Sequence, residues 1–212
     1  MLELKQDHYI GEGAHRVCYR HPTDDSLCIK IPFEQSEEIK PLRREISYYQ
    51  RLNKRKISWE MLSRFVNEVE TNKGHGHVYT LVRDHDKQVS KNLVHYLADE
   101  QLIREHYQSL FNSLTKLFTY LLENQILPLT LYPRNIVIQL QDQPLAIIVD
   151  DIGNNEFVRF SEWSKPLARR KIIRKWQRFI KHLGKNSEHK PELALLLKQV
   201  ESHCHLLMKK KL

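Results

Sequence analysis

Four short stretches of this chain carry residue types that could handle a phosphate and a divalent cation. The first is Ile10-Gly11-Glu12-Gly13-Ala14-His15-Arg16, where Gly11 and Gly13 would let main-chain N–H groups approach phosphate oxygens with no Cβ in the way. Alone the pattern is weak, since two glycines one residue apart often make only a tight turn. The second is Ile29-Lys30-Ile31. A lysine with apolar neighbours has its stem packed and its ammonium in need of an acidic or phosphate partner. Glu45, in Arg43-Arg44-Glu45-Ile46, is the acid that a following helix could bring to Lys30; the plain alternative is a snorkelling lysine and a solvated glutamate. The third is Leu131-Tyr132-Pro133-Arg134-Asn135-Ile136, a loop ending on an asparagine that opens a strand. The fourth is Ile147-Ile148-Val149-Asp150-Asp151-Ile152-Gly153, an apolar strand ending in two carboxylates. Asn135, Asp150 and Asp151 offer hard oxygen ligands suited to Mg2+, which keeps waters and bridges phosphates. In this order, and on elements of the right type, the four stretches point to ATP with Mg2+.

Those residues need elements to hold them. Residues 16–20 and 27–31 are β-rich runs around the turn residues His21-Pro22-Thr23-Asp24-Asp25, which predicts a hairpin. From Ser36 to about Lys54 the period changes. Ile39, Leu42, Ile46, Tyr49 and Leu52 recur at spacings of three and four, as on an amphipathic helix, with Pro41 in its first turn or at its start. Residues 65–69 and 78–82 read as a second strand pair with Gly74 and Gly76 between them. One long helix is expected from about Asp99 to Asn124, with Leu110, Leu114, Leu117 and Leu121 on one face. Residues 136–138 and 146–149 flank a turn at Gln141-Asp142-Gln143-Pro144, a hairpin that would bring Asn135 and Asp151 together. The remainder, about 161–183 and 189–210, reads as helical and basic. The expected division is residues 1–84, five strands and one helix, followed by a mainly helical 85–212.

Composition bounds the rest. Of 212 residues, 41% are hydrophobic and 28% charged, a globular balance with core enough to fold. No apolar run approaches the roughly 20 residues of a membrane span, and the first residues lack a basic-then-apolar signal pattern, so a cytoplasmic protein is expected. Cys18, Cys28 and Cys204 are an odd count without a CxxC pair and read as buried thiols. The twelve histidines include no HExxH, and His203 and His205, two apart on a helix, would face different ways. The net charge of +8 is concentrated between Lys165 and Lys185 and at Lys209, Lys210 and Lys211. Such a face suits an anionic partner, whether nucleic acid, lipid or acidic protein, or is simply solvated. Trp176 and Phe179 lie within it, and the expectation is that they pack the helix down.

The chain resembles the protein-kinase-like superfamily over residues 7–155. It is similar over nearly its whole length to the PhoP-regulatory-network protein YrbL family of bacteria, in the stretches GEGAHRVCY, CIKI, RREISYY, PRNI and DDIG and in a tryptophan-containing basic C-terminal helix. The resemblance implies an α+β, two-lobed kinase-like fold, with a five-stranded antiparallel N-lobe holding one helix and a reduced helical C-lobe. It implies that Lys30 is the nucleotide lysine, Glu45 its helix partner, Asn135 the magnesium asparagine and Asp151 the metal aspartate, with Asp150 as the alternative. Three positions depart from the kinase pattern. Arg16 replaces the third glycine of the phosphate loop and either stiffens it or meets phosphate directly. Thr130 stands where the aspartate that accepts the substrate proton is expected, and Tyr132 replaces the lysine two residues on. Glu12, Asp84 and Asp86 are the other acids that could serve. The resemblance thus implies either a divergent ATP-dependent phosphotransferase acting on a protein or small-molecule acceptor, or a pseudokinase that works through protein contacts.

Overall fold

Asp24 turns the chain. Its Oδ1 accepts from Ser26 N at 2.9 Å and its carbonyl from Leu27 N at 3.1 Å, an Asx-type reversal. In the computed structural model, which describes residues 1–33, 39–153, 164–185, 187 and 189–209, this turn joins the second and third strands. They follow β1 (Tyr9–Glu12) as β2 (Arg16–Arg20) and β3 (Leu27–Pro32). The helix α1 (Ile39–Lys54) buries Leu42, Ile46, Tyr49 and Leu52, the face its period predicted, and Pro41 sits in its first turn. Its expected start at Ser36 falls outside the described residues.

Strands β4 (Phe65–Thr71) and β5 (Gly74–Thr80) complete an antiparallel sheet of order β1-β2-β3-β5-β4. Here the sequence expectation needs correction. Gly74 and Gly76 are not the turn but the first part of β5. The reason at Gly76 is close approach: a Cβ there would lie 2.5 Å from Ile29 Cγ2. The sheet presses β5 onto Ile29, and only glycine fits.

The expected long helix, about 99–124, divides at His106, and a short helix precedes it. α2 (Leu93–Leu97) starts on Asn92, whose side chain accepts from His95 N, and α3 (Glu100–Glu105) on Asp99, whose side chain accepts from Gln101 N. At His106 the backbone leaves helical values (φ −106, ψ 13) while the ring packs edge-on against Tyr96, and α4 (Tyr107–Glu123) follows. β6 (Ile136–Gln139) and β7 (Leu145–Ile148) form the expected small hairpin. The chain closes with α5 (Lys165–Gly184) and α6 (Pro191–Lys209).

The fold is therefore mixed α and β, a five-stranded antiparallel sheet with several helices. Its main core runs from Tyr49 and Tyr79 through Leu114 and Phe118 to Trp176 and Phe179. A small second cluster of Leu4, Ile29, Ile31 and Val78 covers the other face of the sheet. Trp176 and Phe179 are 1% exposed, and Trp176 packs on Phe118 at 5.0 Å, so the aromatics of the basic helix are core. Cys28 and Cys204 are buried thiols as expected, and Cys18 is half-buried. Among the described residues no helix is long and apolar enough to cross a membrane.

Candidate functional site

Strand alternation puts Lys30 on the α1 side of the sheet, opposite Cys18 on β2 and His77 on β5. There its ammonium lies 4.7 Å over the Tyr79 ring, donates to Val149 O at 2.5 Å and stands 3.4 Å from Asp150 Oδ2. Arg16, at the start of β2, donates through Nη2 to Glu45 Oε2 at 3.1 Å and to Asp150 Oδ1. The four side chains form a relay: Glu45 holds Arg16, Arg16 holds Asp150, and Asp150 meets Lys30. The simple Lys30–Glu45 pair expected from the sequence is absent among the described residues, because the arginine that replaces the third glycine reaches between them. Arg16 is turned inward to two carboxylates.

Burial raises both acids, but only one of them stays raised. It pushes Glu45 up to about 7, with Arg16 as the chief opposing influence. Burial also pushes Asp150 upward, but Lys30 and Arg16 together outweigh it and hold this carboxyl below its usual range. Asp150 is thus an anion neutralised by two cations.

Asp151, its neighbour, points elsewhere. With φ at +65 its backbone is left-handed, uncommon for a residue other than glycine. Its Oδ2 accepts from the Thr130 hydroxyl at 2.7 Å and from Asn135 Nδ2 at 3.0 Å. The main chain fixes this meeting: Leu129 N donates to Asp151 O at 2.8 Å, Gly153 N to Leu127 O at 2.8 Å, and Val149 N to Asn135 O at 2.9 Å. The β6–β7 hairpin therefore brings Asn135 and Asp151 together, as the sequence led one to expect.

Arg16, Lys30, Asn135, Asp150 and Asp151 line a cleft of about 760 Å3 that also holds the Gly11 to Gly13 loop, with Leu81, Val82 and Val137 as apolar wall. The loop is a tight hairpin turn closed by Gly13 N on Arg16 O at 2.9 Å. A Cβ on Gly11 would meet nothing within 4 Å. What glycine leaves there is open space over the strand, room for a ligand's approach. Of the other acids weighed, Glu12 lines the cleft. Asp84 is engaged by Ser90 Oγ and Leu140 N, and Asp86 by Gln88 N.

One site residue had no distinguishing signal in the sequence. Lys175 of α5, one cation among many in a basic run, reaches Leu129 O beside Thr130. Burial lowers its pKa, as do Lys171, Arg178 and Arg174, while Asp151 pulls the other way. Nothing in residues 165–185 marks it out; its place on α5 relative to Trp176 turns it toward the loop.

Fold and contacts together define a mixed α/β protein with a cation–carboxylate relay on the α1 side of its sheet. The chain belongs to the family of the PhoP regulatory network protein YrbL, which matches residues 2–184. It is 34% identical over 183 residues to the Uncharacterized protein YrbL of Escherichia coli (strain K12), and equally to that of Shigella flexneri, covering 85% of this chain and 87% of either relative.

Proposed function

We propose that this chain is a kinase-like protein that binds ATP with Mg2+ in the cleft and transfers the γ-phosphoryl group to an acceptor. The observation that carries the reading is the meeting of Lys30, Asp150, Asp151 and Asn135, from distant stretches, in one cleft beside the Gly11 loop. In this reading residues 1–84 are the nucleotide lobe and 85–212 the second lobe. Lys30 takes the α- and β-phosphates, held in place by Asp150 and, through Arg16, by Glu45. Asp151 and Asn135 would hold the cation, Asn135 through its Oδ1 in place of the Nδ2 that now donates to Asp151. Asp150, already neutralised by Lys30 and Arg16, is the poorer ligand. Held there, the cation would neutralise negative charge on the phosphates.

In transfer, a hydroxyl oxygen of the acceptor bonds to the γ-phosphorus as the bond to the ADP oxygen breaks, and the hydroxyl proton passes to solvent water. Thr130 cannot take that proton, because its hydroxyl does not ionise near neutral pH. Lys175 supplies, from α5, the loop cation that Tyr132 lacks. The rate then rests on positioning and charge, without the ~10²–10⁴-fold that a general base adds.

A nucleotide-regulated protein-interaction module without transfer is the second reading. One contact favours it: the only side chain at the base position, Thr130, is tied to Asp151.

Calorimetry and thermal melts with ATP, Mg2+ and both test the proposal. Both together should stabilise the fold, by about 2.7 kcal/mol at a hundred times Kd, and either alone should not. Lys30→Met should weaken binding at least about tenfold, losing a charge-assisted contact. Absence of binding at millimolar nucleotide sinks both readings. Binding without transfer of label from γ-labelled ATP, to itself or to lysate components, leaves the second.

A further inference from the structure

We propose that Glu68, His75 and His77 form a binding site for a transition-metal cation of the zinc class on the β4–β5 hairpin. Their strand positions require the meeting. His75 and His77 are two apart on β5 and so project from one face. Register pairs Glu68 with His77 and Glu70 with His75, which brings both glutamates to that same face. Gly76, between the histidines, packs on Ile29 from the opposite face and holds this part of β5 in place.

The side chains are arranged as ligands and support. His75 Nε2 is 3.4 Å from Glu68 Oε2, and His77 Nε2 is 3.9 Å from Glu68 Oε1. The donor atoms of the three residues all lie within 4.8 Å of one another. Zinc bonds of ~2.0–2.2 Å in a tetrahedron place donors roughly 3.3–3.6 Å apart. Small rotations of Glu68 and His75, both about half exposed, reach that spacing. Glu70 Oε1 holds His75 Nδ1 at 2.6 Å. A carboxylate on the far nitrogen fixes the tautomer and aims Nε2 at the cation, as in histidine metal sites generally.

Burial keeps the His77 imidazole below the ordinary histidine range, against the pull of Glu68, so it is neutral near pH 7. The Glu70 hydrogen bond, with Glu68, holds His75 above that range, so metal uptake there displaces a proton. Neutral imidazole is the form that binds metal. Two imidazoles and one carboxylate select zinc, cobalt, nickel or copper over magnesium, which separates this site from the oxygen ligands at Asp151. The remaining tetrahedral position is left to water. The inference rests on the hairpin alone and stands whether or not the cleft binds nucleotide.

The full chain, stripped with chelator and free of nucleotide, should take up one equivalent of Zn2+ in calorimetry. With Co2+ it should give visible absorption bands of an imidazole-ligated, low-coordinate ion. His75→Ala and Glu68→Gln, at half-exposed positions, should keep the parent's circular dichroism and weaken Zn2+ binding at least about tenfold, by loss of a ligand. Glu70→Gln should weaken it about 10–100-fold, the usual cost of losing a supporting carboxylate. His205→Ala, on exposed α6 surface, should change nothing. Unaltered affinity in folded His75→Ala would overturn the site, as would a parent that takes up no stoichiometric Zn2+.

Discussion

The Thr130 hydroxyl donates to Asp151 Oδ2 at 2.7 Å, so a carboxylate put in its place would face another at hydrogen-bond distance. Two such groups cannot both ionise cheaply, and one is pushed to a high pKa unless a cation joins them. Thr130→Asp should therefore lower the melting temperature without Mg2+, more at pH 8 than at pH 5, and millimolar Mg2+ should restore it. If the chain transfers phosphate, the same variant should raise the rate, by at most ~10²–10⁴-fold. Glu45 offers a second test. Its carboxyl is raised from 4.5 to about 7 by burial, so the folded state favours the neutral acid. That contribution is complete below the unfolded value and is lost as pH rises through the folded one. Urea midpoints of the parent and of Glu45→Gln should accordingly diverge between pH 4.5 and pH 7, with the variant, neutral throughout, gaining on the parent as pH rises.

Elements are where the basic charge is sorted. On α5, Arg169 donates to Leu207 O and Met208 O at the end of α6, Lys175 to Leu129 O, and Lys171 is only 6% exposed. These cations serve the fold. Arg170, Arg174 and Arg178 recur every four residues on the exposed face, so an acidic partner would meet guanidinium groups without the buried Trp176. In the sheet, the tight point is Gly76. Gly76→Ala forces a Cβ against the fully buried Ile29, and overpacking of this kind costs typically about 1–3 kcal/mol. Chemical denaturation should show that loss with an unchanged slope, since the unfolded chain is the same.

At the scale of the whole molecule, the family match ends at residue 184, yet the core does not. Leu193, Leu196, Leu197, Val200 and Cys204 of α6 are all buried. Each large apolar side chain buried contributes about 1.5–3 kcal/mol, so α6 supplies an amount comparable with the 5–15 kcal/mol net stability of an ordinary domain. A chain ending at residue 184 should lose cooperative urea unfolding and near-ultraviolet dichroism. A truncated chain that melted like the parent would show α6 to be an appendage.

Local pattern and local chemistry were determined by the sequence itself. The 3.6 period of α1, the Asp24 turn and the β6–β7 hairpin depend on residues a few positions apart, and the hairpin carries Asn135 to Asp151. Strand extents failed where the deciding contact was remote: Gly76 belongs to β5 because of Ile29, 47 residues away in the numbering. At the break, His106 packs edge-on against Tyr96 of another helix. The pairing of charges was decided only by tertiary structure. Arg16 meets Asp150 across 134 positions and Lys30 meets it across 120. Which carboxylate each cation takes depends on ångström-scale placement and on the cost of stripping water from every ion, and periodicity records neither. The same holds for Lys175 and for the two histidines of β5. Residue type announced what each could do, and packing chose what each would face.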